Sequence, residues 1–290
     1  MSSARSLRHE LTKRDIIPFI GVYDVFSASI AARYYDGIFI SGFGFAASHY
    51  GLPDIGFIAW SDIVAFVQRV KTVLPHHLLV VDIDDGYADV EVACHVVSLL
   101  EAIGASGVII EDQQRPRRCG HVDGKRIMEL DGFVTKLRRV LSTRREMFVV
   151  ARTDAIDPDE ITRRARAFAE AGADAILVDG LRDLGLIRTL KSRVNKPFMF
   201  NQIAGGKSPR CTLSELREAG VSLVNYSTPC LFPAQAAIEE ALKSLKEKDG
   251  LLPDTGTEAV GVQQCTGLLN ENLAMRNRTR EAIPEESLSL

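Results

Sequence analysis

Apolar residues in this chain recur in two rhythms. Short runs rich in β-branched residues alternate with longer segments in which apolar positions return every three or four residues. The short runs read as strands: Ile17 to Gly21, Gly37 to Ile40, Leu78 to Val81, Gly107 to Ile110, Met147 to Ala151, Ala175 to Val178, Pro197 to Phe200 and Ser222 to Asn225. The longer segments read as helices: Val25 to Arg33, Ser61 to Val73, Val90 to Ile103, Gly132 to Leu141, Asp159 to Ala171, Leu181 to Val194, Leu213 to Ala219 and Pro233 to Glu247. The turns agree with this division. Gly104 and Gly172 are placed to end helices, and Asp157-Pro158-Asp159 and Thr212 to begin them.

Strands that are apolar throughout suit a parallel sheet covered on both faces. Eight such strand–helix units within residues 17–247 predict an α/β fold, a (β/α)8 TIM-type barrel, for which ~250 residues is typical. A doubly wound open sheet is the alternative. From Lys248 onward Pro253, Gly256 and Gly261 break the pattern, and a further helix is expected over Leu268 to Asn277. The expected organisation is a catalytic barrel over 1–247, then a linker, an extra C-terminal helix and a tail over 248–290. A trailing helix beyond such a linker suits exchange between subunits.

Composition narrows the partners. With 290 residues and 46% apolar content the chain can bury a large core, and a net charge of −3 gives no pull toward nucleic acid or an anionic membrane. No run approaches the ~18 apolar residues of a membrane helix, and Met1 to Asp15 lacks the apolar stretch of a signal peptide. The clusters Arg115 to Arg118, Arg144-Arg145 and Arg163 to Arg166 read as solvated faces or a small-anion grip. Five scattered cysteines with no C-x-x-C pair argue against a disulfide framework and structural zinc. A reducing, cytoplasmic setting is expected.

The chemistry lies where the strands end. In a barrel those positions line one mouth, and active sites sit there. Ser41-Gly42-Phe43-Gly44 follows the second strand, Asp82-Ile83-Asp84-Asp85 the third, Glu111-Asp112 the fourth, Arg152-Thr153-Asp154 the fifth, Asp179 the sixth and Asn201 the seventh. Asp82 and Asp84 are two apart, so on an extended segment they face the same way. With Glu111 they offer three carboxylates to one point, a set suited to Mg²⁺ or Mn²⁺ rather than zinc. Arg152 closes an apolar run and is suited to a substrate carboxylate, with Asp154 or Asp179 as structural partners. Asn201 and the Gly205-Gly206 backbone could serve the same anion.

Cys119 sits among Arg115, Arg117, Arg118, His121 and Lys125. Such neighbours lower a thiol pKa, and the residue reads as a nucleophile or a proton donor. Cys94 and Cys230 read as small core residues. Gly42-x-Gly44 follows a strand as a dinucleotide fingerprint would, but Gly51, Pro53 and Gly56 interrupt the helix such a site needs.

Taken in order, Ser41-Gly42, Gly51-Leu52-Pro53-Asp54, Asp82-x-Asp84-x-Gly86-Tyr87, Glu111-Asp112-Gln113, Cys119-Gly120-His121-x-x-Gly124-Lys125, Ala151-Arg152-Thr153-Asp154, Ala171-Gly172-Ala173-Asp174 and Asn201 with Gly205-Gly206-Lys207-x-Pro209 form a linked set. By these motifs the chain resembles the isocitrate lyase and phosphoenolpyruvate mutase superfamily over about residues 15–245. It is most similar to the branch of methylisocitrate lyase, dimethylmalate lyase and carboxyphosphonoenolpyruvate mutase. The resemblance implies a barrel whose last helix packs on a neighbouring subunit, in a homotetramer. It implies Mg²⁺ held by Asp82, and through water by Asp84, Glu111 and Asp54. Ser41, Gly42 and Phe43 would hold the carboxylate end of a small acid with Arg152, and Lys125, Asp179 and Asn201 would line its pocket. Cys119 would protonate the leaving carbanion, with Arg152 and His121 steadying its charge.

Several positions depart from the family pattern. Asp85 stands where Thr or Ala is usual, Ala88 for Gly, Asp89 for Asn, Asp179 for Glu, Ala204 for Glu and Ser227 for Pro. They point to an altered pocket for the distal part of the substrate. The expected activity is a carbon–carbon lyase cleaving a 2-hydroxy di- or tricarboxylate into a 2-oxo acid and a carboxylic acid. A phosphonomutase and a non-catalytic barrel are the alternatives.

Overall fold

A computed structural model describes residues 6–252 and 260–281. Eight parallel strands close in sequence order into a barrel: β1 (Ile17–Val22), β2 (Gly37–Ile40), β3 (Leu78–Asp82), β4 (Gly107–Glu111), β5 (Phe148–Thr153), β6 (Ala175–Val178), β7 (Phe198–Gln202) and β8 (Val221–Tyr226). β8 pairs back onto β1 with Phe19 opposite Asn225. The closed barrel is as expected, and the open-sheet alternative falls.

Helices α1 (Leu7–Leu11), α2 (Val25–Ala31), α3 (Gly42–Phe45), α4 (Trp60–Val73), α5 (Val90–Ala102), α6 (Leu130–Thr143), α7 (Pro158–Ala171), α8 (Leu184–Arg193), α9 (Leu213–Glu218), α10 (Leu231–Glu247) and α11 (Val262–Glu281) complete the described elements. Their ends follow local chemistry. Asp157 caps α7 ahead of Pro158, and Gly172 ends it at φ 101°. Thr212 and Glu215 form a capping box on α9. α8 starts later than the expected Leu181, because the Asp183 side chain accepts from Gly185 N at 2.8 Å and sets the cap there. After β2 the chain makes only α3 and one wider turn, Ala46–Tyr50, ended by Gly51. That is too short a helix for a dinucleotide fingerprint.

Two apolar layers follow from alternation along the strands. Residues facing outward pack under the helices, including Ile38, Val81, Val108, Val149 and Ile176. Residues facing inward fill the barrel: Ile17, Phe19, Phe39, Val80, Ile109, Val150, Leu177, Met199 and Leu223. The short α1, absent from the expected elements, joins this interior through Leu7, which is buried.

The last two helices behave differently from the rest. No residue of α10 is buried, and Ile238 and Leu242 are about 60% exposed, at 58% and 61%. α11, the expected extra helix, lies on its own chain. Leu268 is buried, and Asn272 Nδ2 donates to Ser29 Oγ at 2.8 Å. Among the described residues no helix is long and apolar enough to cross a membrane, and all five cysteines are free thiols.

Because Leu7 belongs to the barrel interior, Leu7→Ala should destabilise the chain by about 2–5 kcal/mol, read as a lower urea midpoint with unchanged slope. A loss under ~0.5 kcal/mol would show that α1 is not part of the cooperative unit.

Candidate active site

One more step of two residues along each strand turns the apolar interior into a polar ring. Phe39 is followed by Ser41, Val80 by Asp82, Ile109 by Glu111, Val150 by Arg152, Leu177 by Asp179, Met199 by Asn201 and Leu223 by Asn225. The strand register keeps them level, with Glu111 opposite Arg152 and Asn201 opposite Asn225. The eighth place is Gly21, where a Cβ would collide with the Ser227 and Tyr226 carbonyls. Most of the ring and the Cys119-Gly120-His121 segment enclose a chamber of about 20 Å³ floored by Phe39, Ile109 and Leu177. A larger cleft of about 690 Å³ lies outside, between Gln202 to Thr212 and Tyr226 to Pro233, and contains none of the ring carboxylates.

The acidic side of the ring is the dense part. β3 ends at Asp82, and Asp84 lies in the following turn at φ 51°. The expectation of one extended Asp-x-Asp face is therefore corrected. The turn, held by Asp84 N donating to Asp82 Oδ1 at 3.2 Å, is what brings the second carboxylate back. The two flank one point all the same. A Cβ on Gly42 would sit 3.3 Å from Asp82 Oδ2 and 3.4 Å from Asp84 Oδ1. Asp54, on the loop before α4, and Glu111 complete the cluster through a side chain that the sequence pattern assigns to a solvated face or a small-anion grip.

That side chain is Arg117, only 1% exposed. Its Nε donates to Glu111 Oε1 at 2.8 Å, and its Nη1 bonds Asp54 and lies 3.3 Å from Asp84 Oδ1. The physical reason is the charge density: four carboxylates drawn this close need a cation among them. Arg152 supplies a second. It reaches Glu111 Oε2 at 3.1 Å, Asp154 Oδ2 at 2.9 Å and Asp179 Oδ2 at 2.8 Å. Lys125 Nζ bonds Asp154 Oδ1 and the Gly120 carbonyl. Burial raises Asp82 and lifts Glu111 to about 7 against the pull of both arginines, and raises Asp84 well above the usual range against that of Arg117.

Oxygen-only, buried and short of positive charge, this cluster fits a hard divalent ion. Asp84 Oδ1 and Glu111 Oε2 are buried without a hydrogen bond. With Arg117 between them, no group of three or more acidic, His or Cys side chains among the described residues converges closely enough to chelate an ion.

The lid closes over the other side. Gly120 is the contact point. A Cβ there would collide with the Asp179 carboxylate and with Arg152. His121 Nδ1 accepts from Lys207 N at 2.9 Å, and its Nε2 lies 3.5 Å from Asp179 Oδ1. Burial alone would raise Asp179, but Arg152 and His121 hold it well below the usual carboxylate range. Arg115 anchors the base of the lid by a two-point bond to Asp85, one of the departures from the family pattern. Ser41 Oγ accepts from Gly44 N and starts α3, and Phe43 stacks edge-on against Phe232 at 5.9 Å.

Cys119 corrects an expectation. Basic neighbours were expected to lower its pKa, yet burial first, then Asp54 and Asp179, push the thiol up to about 12. Arg115 and Arg117 face carboxylates rather than the sulfur. The sequence reading also missed Asn225, although its place two residues beyond the inward Leu223 was the signal.

A closed, eight-stranded α/β barrel with carboxylates at the carboxyl ends of its strands and a thiol segment closing over them has the layout of a barrel enzyme. A family model for phosphoenolpyruvate phosphomutase matches residues 7–246, and the chain belongs to that family. It is 32% identical over 246 residues to the 2-methylisocitrate lyase of Aeropyrum pernix, covering 83% of this chain and 79% of that one. The crystal structure of 2,3-dimethylmalate lyase, a PEP mutase/isocitrate lyase superfamily member, superposes with TM-score 0.88 at 28% identity, covering 97% of this chain and 96% of that one. An oxaloacetate acetylhydrolase, in complex with 3,3-difluorooxalacetate, superposes with TM-score 0.88 at 27% identity over 98% of both chains. The chain is thus an enzyme of the lyase and mutase superfamily.

Two measurements test the lid. Cys119 should alkylate slowly at pH 8–9, and its labelling should rise only toward pH about 12 rather than near the ordinary thiol value of 9.0. Arg117→Leu removes the cation that ties the lid to the cluster, and should speed that labelling at least ~10-fold. Equal rates in both proteins would show that Arg117 does not hold the lid.

Proposed function

We propose that this enzyme is a Mg²⁺-dependent carbon–carbon lyase, tolerant of Mn²⁺, that cleaves a 2-hydroxy di- or tricarboxylate of the methylisocitrate or dimethylmalate kind into a 2-oxo acid and a carboxylic acid. One observation carries the reading. A half-buried thiol, Cys119, with its pKa pushed up to about 12, closes over a mouth of carboxylates. A thiolate would suit attack on substrate, whereas a thiol held in its neutral form suits donation. The similarity to lyases of small branched acids supports the same reaction.

Asp82 would hold the ion directly, with Asp54, Asp84 and Glu111 in its outer shell. When bound, the ion would acidify the substrate's 2-hydroxyl and offset the charge of its carboxylate. Backbone N–H groups of α3, opening at Gly42, and the Ser41 hydroxyl face the carboxylate end. Phe43 shapes the chamber there. As the hydroxyl passes its proton to a carboxylate of the adjoining acidic cluster, its C–O bond becomes a carbonyl and the adjacent carbon–carbon bond breaks. The electron pair passes to the departing carbon. Arg152, Lys125 and His121 lower the cost of that charge, and Cys119 Sγ gives its proton to that carbon. Asp179 and Asn201 hold His121 in place beside the lid.

Assembly is part of the proposal. α10 follows β8 yet buries nothing of its own. We assign it to a groove on a neighbouring subunit, in a homotetramer, with Ile238 and Leu242 as its contacts. A cytoplasmic setting suits five free thiols.

A panel of 2-hydroxy diacids with Mg²⁺, with 2-oxo acid trapped as a hydrazone, should reveal a substrate. EDTA should abolish turnover. Asp82→Ala should lower kcat/KM at least ~10³-fold, and Cys119→Ser about 10²–10⁴-fold. In D₂O the carboxylic acid product should carry one solvent deuterium. Turnover at wild-type rate in Cys119→Ser removes the donor role, and new ³¹P signals from a phosphonate substrate would move the reading to a mutase. Leu242→Asp should lower the sedimentation coefficient toward that of a smaller assembly, and an unchanged coefficient would remove α10 from the interface.

A further inference from the structure

Three of the departures from the family pattern, Asp85, Ala88 and Asp89, lie in one turn, between β3 and α5. The sequence pattern assigns such departures to the distal pocket of the substrate, yet none of these three lines the chamber. The turn is conformationally costly. Asp84, Gly86, Tyr87 and Ala88 have φ of 51°, 74°, 61° and 71°, the left-handed region that a β-carbon disfavours. Polar contacts hold it. Asp85 Oδ2 accepts from Ala88 N at 3.1 Å. From α6, Lys136 Nζ donates to the Asp85 carbonyl at 2.9 Å and to the Ala88 carbonyl at 3.1 Å. Asp89 Oδ1 accepts from Glu91 N at 2.7 Å and starts α5.

The Asp85 carboxylate is also bonded to the lid. Arg115 Nε donates to its Oδ2 at 2.9 Å and Arg115 Nη2 to its Oδ1 at 2.8 Å. A two-point pair of this kind fixes direction as well as distance. Asp85 is 3% exposed, so the departure of Arg115 would leave a buried charge without its partner. Beyond Arg115 the chain is tied to itself. Arg126 Nη2 donates to the Arg115 carbonyl at 3.2 Å. The Gln113 amide closes on Arg118, donating to its carbonyl at 2.7 Å and accepting from its N–H at 2.8 Å. Arg118 immediately precedes Cys119. Holding Arg115 therefore holds the thiol. Thr or Ala at position 85 has no carboxylate to offer it.

We infer that Asp85 is a positioning residue for Cys119. Through Arg115 it latches the lid to the turn that carries Asp84, and its bond to Ala88 N offsets the conformation Ala88 adopts. The departures at 85 and 88 belong together, and they set the lid rather than the distal pocket. This goes beyond the lyase reading, on which only the kinetic part of the test rests.

Iodoacetamide labelling of Cys119, followed by mass spectrometry of its peptide, measures the latch. Asp85→Asn keeps an acceptor for Ala88 N and gives up the charged pair, whereas Arg115→Lys leaves the turn untouched. Each should speed labelling at least ~5-fold, and the double variant should stay within about twofold of the faster single one. Adding Ala88→Gly to Asp85→Asn should raise the melting temperature while labelling stays fast. On a substrate that wild type cleaves, kcat should fall in both single variants with KM within about twofold. Wild-type labelling in the single variants overturns the inference, as do multiplying effects in the double variant or a change confined to KM. Slow labelling restored by Ala88→Gly would leave Asp85 a support of the turn alone, and an unraised melting temperature would remove that support. Should Asp85→Asn not fold, Arg115→Lys and Arg115→Met decide the question. If labelling changes as stated but no 2-hydroxy acid is cleaved, the latch stands and the lyase reading falls.

Discussion

Negative charge gathered inside a barrel mouth has to be neutralised, and that requirement organises this protein. Asp54, Asp82, Asp84 and Glu111 are all buried or nearly so, and two arginines, Arg117 and Arg152, reach among them. Isolated carboxylates in such surroundings cost several kcal/mol each. The arginines reduce the cost without removing it, since burial still raises Asp82, Asp84 and Glu111. A site left short of positive charge on one side has the electrostatics of a cation seat. The same geometry explains why Arg117, from a mobile-looking Gly/Pro/Arg segment, is among the most buried side chains of the chain.

Because Arg117 and Cys119 are two residues apart, the electrostatics of the cluster and the position of the thiol are linked. Arg115 on Asp85 fixes one end of the segment, and Lys207 fixes the other through His121 and Asp123. Between those ends the lid needs Gly120, since any side chain there meets Asp179 and Arg152. Three charged anchors and one missing Cβ thus hold the thiol over the ring.

Much of this was legible in the sequence, and the reason is periodicity. A strand ending in Val-Val-Ala-Arg or Val-Ile-Ile-Glu places its last side chain on the face its apolar neighbours define, so Arg152 and Glu111 could be set at one mouth before any coordinates. The limits are equally physical. Asp84 lies past the end of its strand, where spacing no longer predicts direction. Arg117 looked like a solvated cation because a run of arginines carries no sign of which one turns inward. The thiol pKa was misjudged for the same reason: sequence neighbours were counted as spatial neighbours, and desolvation was left out. Asn225 was within reach of the alternation argument, but Asn at a strand end lacks the charge that drew attention to the other positions.

The corrected thiol changes what kind of timing the lid can impose. An exposed cysteine near pH 7 is largely protonated but surrounded by water, which would itself quench a carbanion without stereochemical control. Enclosed beside Asp54 and Asp179, the same thiol gives up its proton only to a base much stronger than water. An enolate formed in the chamber is such a base, whereas the starting carboxylates are not. In the proposed reaction donation would therefore follow bond cleavage rather than precede it, and the thiol would act only while the segment from Arg115 to His121 is closed. On that proposal the groups that hold the segment down, Asp85, Asp179 and the carboxylates around Arg117, would act together with the thiol.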